Sequence, residues 1–149
     1  MQNLPDLKHI PVYTFKDVEL LREICDLYAD SKYTKKDPVS LLSDSQLLLL
    51  DKLKNALNVT QLNAELCSKL KEAFTDLVEI QLELPYAPTY EMAVELAKWF
   101  RNNNYPNSYI KLTKTTEIIL GAKIYVNGTF IDLSLDDKIK EVLSNKLRD

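Results

Sequence analysis

The chain has 149 residues, the size of one domain or two small ones. It is 46% hydrophobic and 28% charged with a net charge of -3, so it can build a core and stay in solution, and it lacks the basic face of a nucleic-acid-binding protein. The longest apolar run, LLLL at 47–50, is far too short to span a bilayer, so no direct membrane span is expected.

The first half reads as helices. Thr14 with Asp17 three residues later is the start signal for a helix reaching about Asp30. Val18, Leu21, Cys25 and Tyr28 recur on it at helical spacing, flanked by Leu20, Ile24 and Leu27. SKYTKKDP breaks the pattern, and its Lys32, Lys35 and Lys36 read as a solvated loop rather than a nucleic-acid site. Asp37-Pro38 can restart a helix. Ser43 with Gln46 is a second capping box, for a helix through Leu57. Thr60 is expected to cap a third, with Leu62, Leu66, Leu70, Phe74 and Leu77 on one face.

At Val78 the period changes from helical to alternating. VEIQLEL puts Val78, Ile80, Leu82 and Leu84 on one side of a half-buried strand. Pro85 and Pro88 end it, and Thr89 caps a helix from 90 to about 101 whose Met92, Leu96, Trp99 and Phe100 are expected to face inward. A second strand follows at 108–113, with Ile110 and Leu112 inward. Asn127-Gly128 then signals a two-residue hairpin, because a type I′ turn needs positive φ at both central residues. That loop sets Val126 opposite Thr129, Ile124 opposite Ile131 and Ala122 opposite Leu133 on one face. On the other face it sets Tyr125 opposite Phe130 and Lys123 opposite Asp132. Gly121 falls opposite Ser134, two small residues consistent with a close neighbour or a bulge. Ser134 can cap a last helix with Leu135, Ile139, Val142, Leu143 and Leu147 as its buried stripe.

The expected fold is therefore α+β: an N-terminal helical bundle over residues 1–77, then a β-α-β-β-β-α module over 78–149. The chemistry-bearing residues are few. Cys25 and Cys67 lie inside apolar helical patterns and read as reduced, packed thiols. His9 is the only histidine and sits in an N-terminal stretch expected to be loose, so a zinc site or a nucleophile–histidine machine has little to draw on. No catalytic residue, metal or cofactor is expected. The opening MQNLPDLKHIPVYTF lacks a basic segment followed by an apolar one, and it is not the Arg- and Ser-rich pattern of a transit peptide. A cytoplasmic location is expected.

Strand, Ala-Pro loop, helix, strand, ILGA, NG hairpin, IDLS and helix, in that order, resemble the C-terminal domain of the delta subunit of F-type ATP synthase, the oligomycin sensitivity-conferring protein family. The family's small-residue pair is matched by Gly121 and Ala122 after Leu120, with Ala in place of the second Gly. Its apolar-Asp-x-Ser motif is matched by Ile131, Asp132 and Ser134, and its terminal helix by Leu135 to Leu147. The resemblance covers roughly the last 70 residues; the helical half is shorter than the family's bundle, although ELCSKLKEAFTDL resembles that bundle's last helix.

The resemblance implies a non-catalytic adaptor of the peripheral stalk. Such a stator subunit joins the N-terminus of an alpha-type subunit of the catalytic head to the C-terminus of a b-type stalk subunit, on the cytoplasmic face of the membrane. Leu20, Ile24 and Leu27 are candidates for a groove holding an alpha-type helix. Trp99, Phe100, Leu143 and Leu147 are candidate anchors for the b-type partner. The alternatives are a free-standing α+β protein-binding or regulatory module and a small enzyme using Asp132, Asp136 and Asp137. Those carboxylates read more simply as a cross-strand partner of Lys123 and as charges at a helix N-terminus.

Overall fold

The computed structural model describes residues 4–132 and Asn145. Two capping boxes start the helical half. In helix α1 (Phe15–Thr34) the Thr14 hydroxyl accepts from the Asp17 N–H at 3.2 Å, and the Asp17 carboxylate accepts from the Thr14 N–H at 3.1 Å. Helix α2 (Asp44–Leu57) begins with the same exchange between Ser43 and Gln46.

Three boundaries differ from expectation, one being that Leu77, expected on the third helix, lies beyond its end at Thr75. Helix α1 runs through SKYT to Thr34 and stops at Lys35, which takes a left-handed conformation with φ 55°. Apolar spacing ends near Tyr28, but Ser31 and Thr34 turn their hydroxyls back onto the carbonyls of Tyr28 and Asp30, and the backbone stays helical. Helix α3 (Ala64–Thr75) is capped by Asn63, not Thr60; the Asn63 side chain accepts from the Leu66 N–H at 2.7 Å. Asn is the stronger cap, and Leu62 just before it is buried in the core, where it helps fix the entry of the chain into the helix.

The three helices enclose one core. Leu21 and Ile24 of α1, Leu50 and Leu53 of α2, and Cys67 and Leu70 of α3 are almost wholly buried. Each buried Leu or Ile contributes about 1.5–3 kcal/mol. Ile10 and Val12, from the segment before α1, complete this core with no exposure at all. The N-terminal stretch is therefore tied down rather than loose from residue 10 onward, although His9 itself, in the short 3-10 turn Leu7–His9, is exposed.

The second half is a four-stranded mixed sheet with one described helix against it. Strands β1 (Val78–Leu84) and β2 (Ser108–Lys114) are parallel and joined through helix α4 (Tyr90–Asn102). Strand β3 (Lys123–Val126) pairs antiparallel with β1, and β4 (Thr129–Asp132) with β3, giving the order β2-β1-β3-β4. Ile80, Leu82 and Ile110 point into a second core with Ala93, Ala97, Phe100 and Val126. Phe100 faces inward as expected, but the rest of the buried face of α4 is Ala93 and Ala97, one step around from the expected Met92, Leu96 and Trp99. The bulky strand residues require small partners for close approach, which Ala93 and Ala97 supply. Met92 and Leu96 flank the contact, and Trp99 turns outward.

The two halves are joined by Arg101. Its side chain is 5% exposed, and its guanidinium donates to the carbonyl of Ser108 at 2.9 Å, to that of Ile10 at 2.8 Å and to that of Val12. The same guanidinium lies 4.6 Å from the centre of the Tyr13 ring. The Ile110 N–H donates to the Tyr13 carbonyl at 2.8 Å, so residues 13 and 14 run along the edge of β2. Burial lowers the Arg101 pKa, opposed by Tyr13 and Asp17.

Candidate partner-binding surfaces

The motif residues meet at one end of the β3–β4 hairpin. Asn127 and Gly128 have φ of 48° and 75°, as a type I′ turn requires. The register follows from the turn: Val126 opposite Thr129, Tyr125 opposite Phe130, Ile124 opposite Ile131 and Lys123 opposite Asp132. Gly121 and Ala122 lead directly into β3, and Ile131 and Asp132 close β4, so the two parts of the motif lie side by side. Gly121 has φ of 96°, a conformation that side chains with a Cβ rarely adopt. A backbone requirement thus accounts for this glycine. The expected facing of Gly121 with Ser134 and of Ala122 with Leu133 lies outside the described residues, as do Asp136, Asp137 and the last helix with Leu143 and Leu147.

This end of the sheet carries apolar groups on its surface. Phe130 is 50% exposed and Ile131 42%, and Leu120 just before the motif is also exposed. The Tyr125 and Phe130 rings face each other at 4.8 Å with a 31° tilt, forming an aromatic pair on the outer face. The sequence places Ile131 on the apolar face of the hairpin. The structure keeps it there beside Ile124, but only Ile124 packs against the second core. Among the described residues β4 is an edge strand of the sheet, which explains the difference.

The aromatic pair on α4 divides. Phe100 is buried and packs edge-on against Tyr105 with ring centres 6.2 Å apart. Trp99 is 58% exposed and meets Phe100 edge-on at 5.1 Å. Only Trp99 is therefore available as an anchor.

The expected groove on α1 is corrected at its centre. Ile24 is fully buried, because α1 packs between α2 and α3 and uses its whole wide apolar face for the bundle. Leu20 and Leu27 are half-buried. The apolar surface of the helical half lies elsewhere, at Tyr33, Val39, Leu41 and Leu48. One signal for it was present in the sequence: four consecutive leucines at 47–50 cannot all face one side of a helix.

A polar link between the halves was also unforeseen. The Tyr90 hydroxyl donates to the Asp17 carboxylate at 3.2 Å, so the acid of the first capping box also holds the start of α4. Burial, with the Asp17 charge next, pushes the Tyr90 phenol up to about 12. Tyr109 is likewise raised to about 12 by burial and by its 2.7 Å hydrogen bond to Glu79. Cys25 and Cys67 are free and buried, and the Cys25 thiol donates to the Cys67 carbonyl at 3.4 Å. The contact with Cys67, with burial next, raises the Cys25 pKa. Among the described residues no group of three His, Cys, Asp or Glu is placed to hold a metal ion.

No protein-family model matches the chain, and no curated protein matches it. Among the described residues no helix is long and apolar enough to cross a membrane.

Proposed function

We propose that this chain is a peripheral-stalk subunit of a rotary F-type ATP synthase, a non-catalytic adaptor between the head and the stalk. In this reading the helical half takes the N-terminus of an alpha-type subunit, and the sheet module takes the C-terminus of a b-type subunit. Its place is the cytoplasmic face of the membrane that holds the rotor. The observation that carries the reading is the motif at 120–132: Gly121 and Ala122 run into β3 at Lys123, which pairs with Asp132, so its two parts sit at the same end of the hairpin, with Leu120 and Ile131 exposed there.

Mechanics lend support. A stator must hold two partners and transmit torque without bending at its own middle. Here the two halves are joined by the buried Arg101 hydrogen bonds and by the Tyr90–Asp17 link, not only by the chain between Thr75 and Val78. Exposed Phe130, Ile131 and Trp99 offer apolar anchors for a helical partner.

The test is co-purification of the tagged full chain with an alpha-type subunit and with a b-type subunit from the same organism. Binding of both is expected, with the b-type interaction lost in Phe130→Ser and Ile131→Ser. If neither subunit co-purifies, the chain is a free-standing α+β binding module instead.

A further inference from the structure

A cleft of about 570 Å³ opens in the helical half, away from the hairpin. It is bounded by the end of α1, the 3-10 turn Pro38–Leu41, the last turn of α2 and the first turn of α3. Three kinds of hydrogen-bond donor line it.

The first is Tyr28. Its side chain is 6% exposed, with the ring in the core, and its hydroxyl has no hydrogen-bond partner among the described residues. Among the described residues no side-chain polar atom fully closed off from solvent lacks a partner. The hydroxyl is therefore open to solvent, and Tyr28 is one of the residues that line this cleft. Burial, with Cys67 and Asp37 adding, raises the phenol pKa, so it remains a donor.

The second is Lys54, which lines the cleft from the last turn of α2 and makes no ion pair within 4 Å among the described residues. The third is the start of α3. Asn63 accepts from the Leu66 N–H, which leaves the N–H groups of Ala64 and Glu65 without an acceptor inside the helix. They carry the positive end of the helix dipole.

We infer that this cleft binds a carboxylate group, held by the Lys54 ammonium, the Tyr28 hydroxyl and the first amides of α3. Charge selects the class. Asp37 also lines the cleft, with one of its oxygens occupied by the Val39 N–H at 3.1 Å. One ammonium against one carboxylate leaves only the partial positive charge of the helix end in excess, which suits the single negative charge of a carboxylate but not the double charge of phosphate. The carboxylate comes either from a free small acid or from an acidic side chain on a partner segment.

Amide-detected NMR titration of the full chain tests this, with sodium acetate, sodium phosphate and a blocked peptide carrying one Glu, each against sodium chloride at equal ionic strength. Saturable shifts at Ala64 and Glu65 are expected with acetate. Lys54→Met and Tyr28→Phe should each weaken binding about tenfold, the loss of one charged or charge-assisted hydrogen bond. Asp37→Asn should tighten it. A peptide that saturates well below acetate assigns the carboxylate to a partner segment; equal saturation assigns it to any small acid. The inference is overturned if chloride reproduces the shifts, if phosphate binds more tightly than acetate, or if Lys54→Met binds acetate like the unaltered chain. Lys54 is only half-buried, so that variant remains informative even if Tyr28→Phe loosens the core.

Discussion

The helical core and the outer hairpin handle apolar residues in opposite ways. In the core, Ile10, Val12, Leu21, Ile24, Leu50, Leu53 and Leu70 are all but completely covered by their own chain. In the hairpin every residue of β4 is exposed, Phe130 and Ile131 included. Apolar burial is repaid only when water is removed, so the first region stabilises itself and the second gains its stabilisation when something else covers it. The difference teaches where to look for stability and where to look for partners.

The sharpest break in that comparison is Arg101, which belongs to the sheet module but holds the segment Ile10–Val12 that completes the helical core. Arg101→Met should leave the carbonyls of Val12 and Ser108 buried without donors, and that of Ile10 with only the Val12 N–H, at a cost of about 3–5 kcal/mol. Urea unfolding followed at the single Trp99 and by far-UV circular dichroism reads this directly. A loss below 1 kcal/mol would mean that the halves do not depend on this side chain.

Next come substitutions that set core against surface. Ile24→Ala should cost about 2–5 kcal/mol through the cavity it leaves. Phe130→Ser should cost no more than about 1 kcal/mol, the loss of its pairing with Tyr125, while weakening binding of the proposed b-type partner. If Phe130→Ser destabilises as much as Ile24→Ala, the hairpin belongs to the core and the partner surface must be sought elsewhere.

A smaller effect is expected from pH. A tyrosine in the unfolded chain loses its proton near pH 10, whereas Tyr90 in the folded protein holds it to about 12. Between these values the folded state binds more protons. The contribution is therefore fully present below pH 10 and falls as pH rises from 10 to 12. Tyr109 acts in the same direction. Tyr90→Phe should flatten, without abolishing, the decline in melting temperature over that window. An unchanged slope would show that the Tyr90–Asp17 link adds nothing to the joint.

The smallest effect tests the hairpin register. Lys123→Glu sets like charges across from Asp132 and should cost at most about 1 kcal/mol, and adding Asp132→Lys should restore most of it. A double variant no better than the single one would contradict the pairing.

Local chemistry was legible in the sequence. The two capping boxes, the alternation of β1, the type I′ turn and the hairpin register each depend on residues within a few positions of one another, and the structure has them where the pattern put them. What tertiary structure alone decided depends on distant partners. The acceptors of Arg101 are backbone carbonyls at positions 10, 12 and 108, which no side-chain pattern marks. The face that α4 buries was set by how closely the sheet lets it approach, so small alanines displaced the larger residues that hydrophobicity favours. Ile24 became core because α1 has a helix on either side of it, whereas Phe130 stayed at the surface because β4 is an edge strand among the described residues. Hydrophobicity is a property of the side chain, but burial is a property of what the fold brings against it.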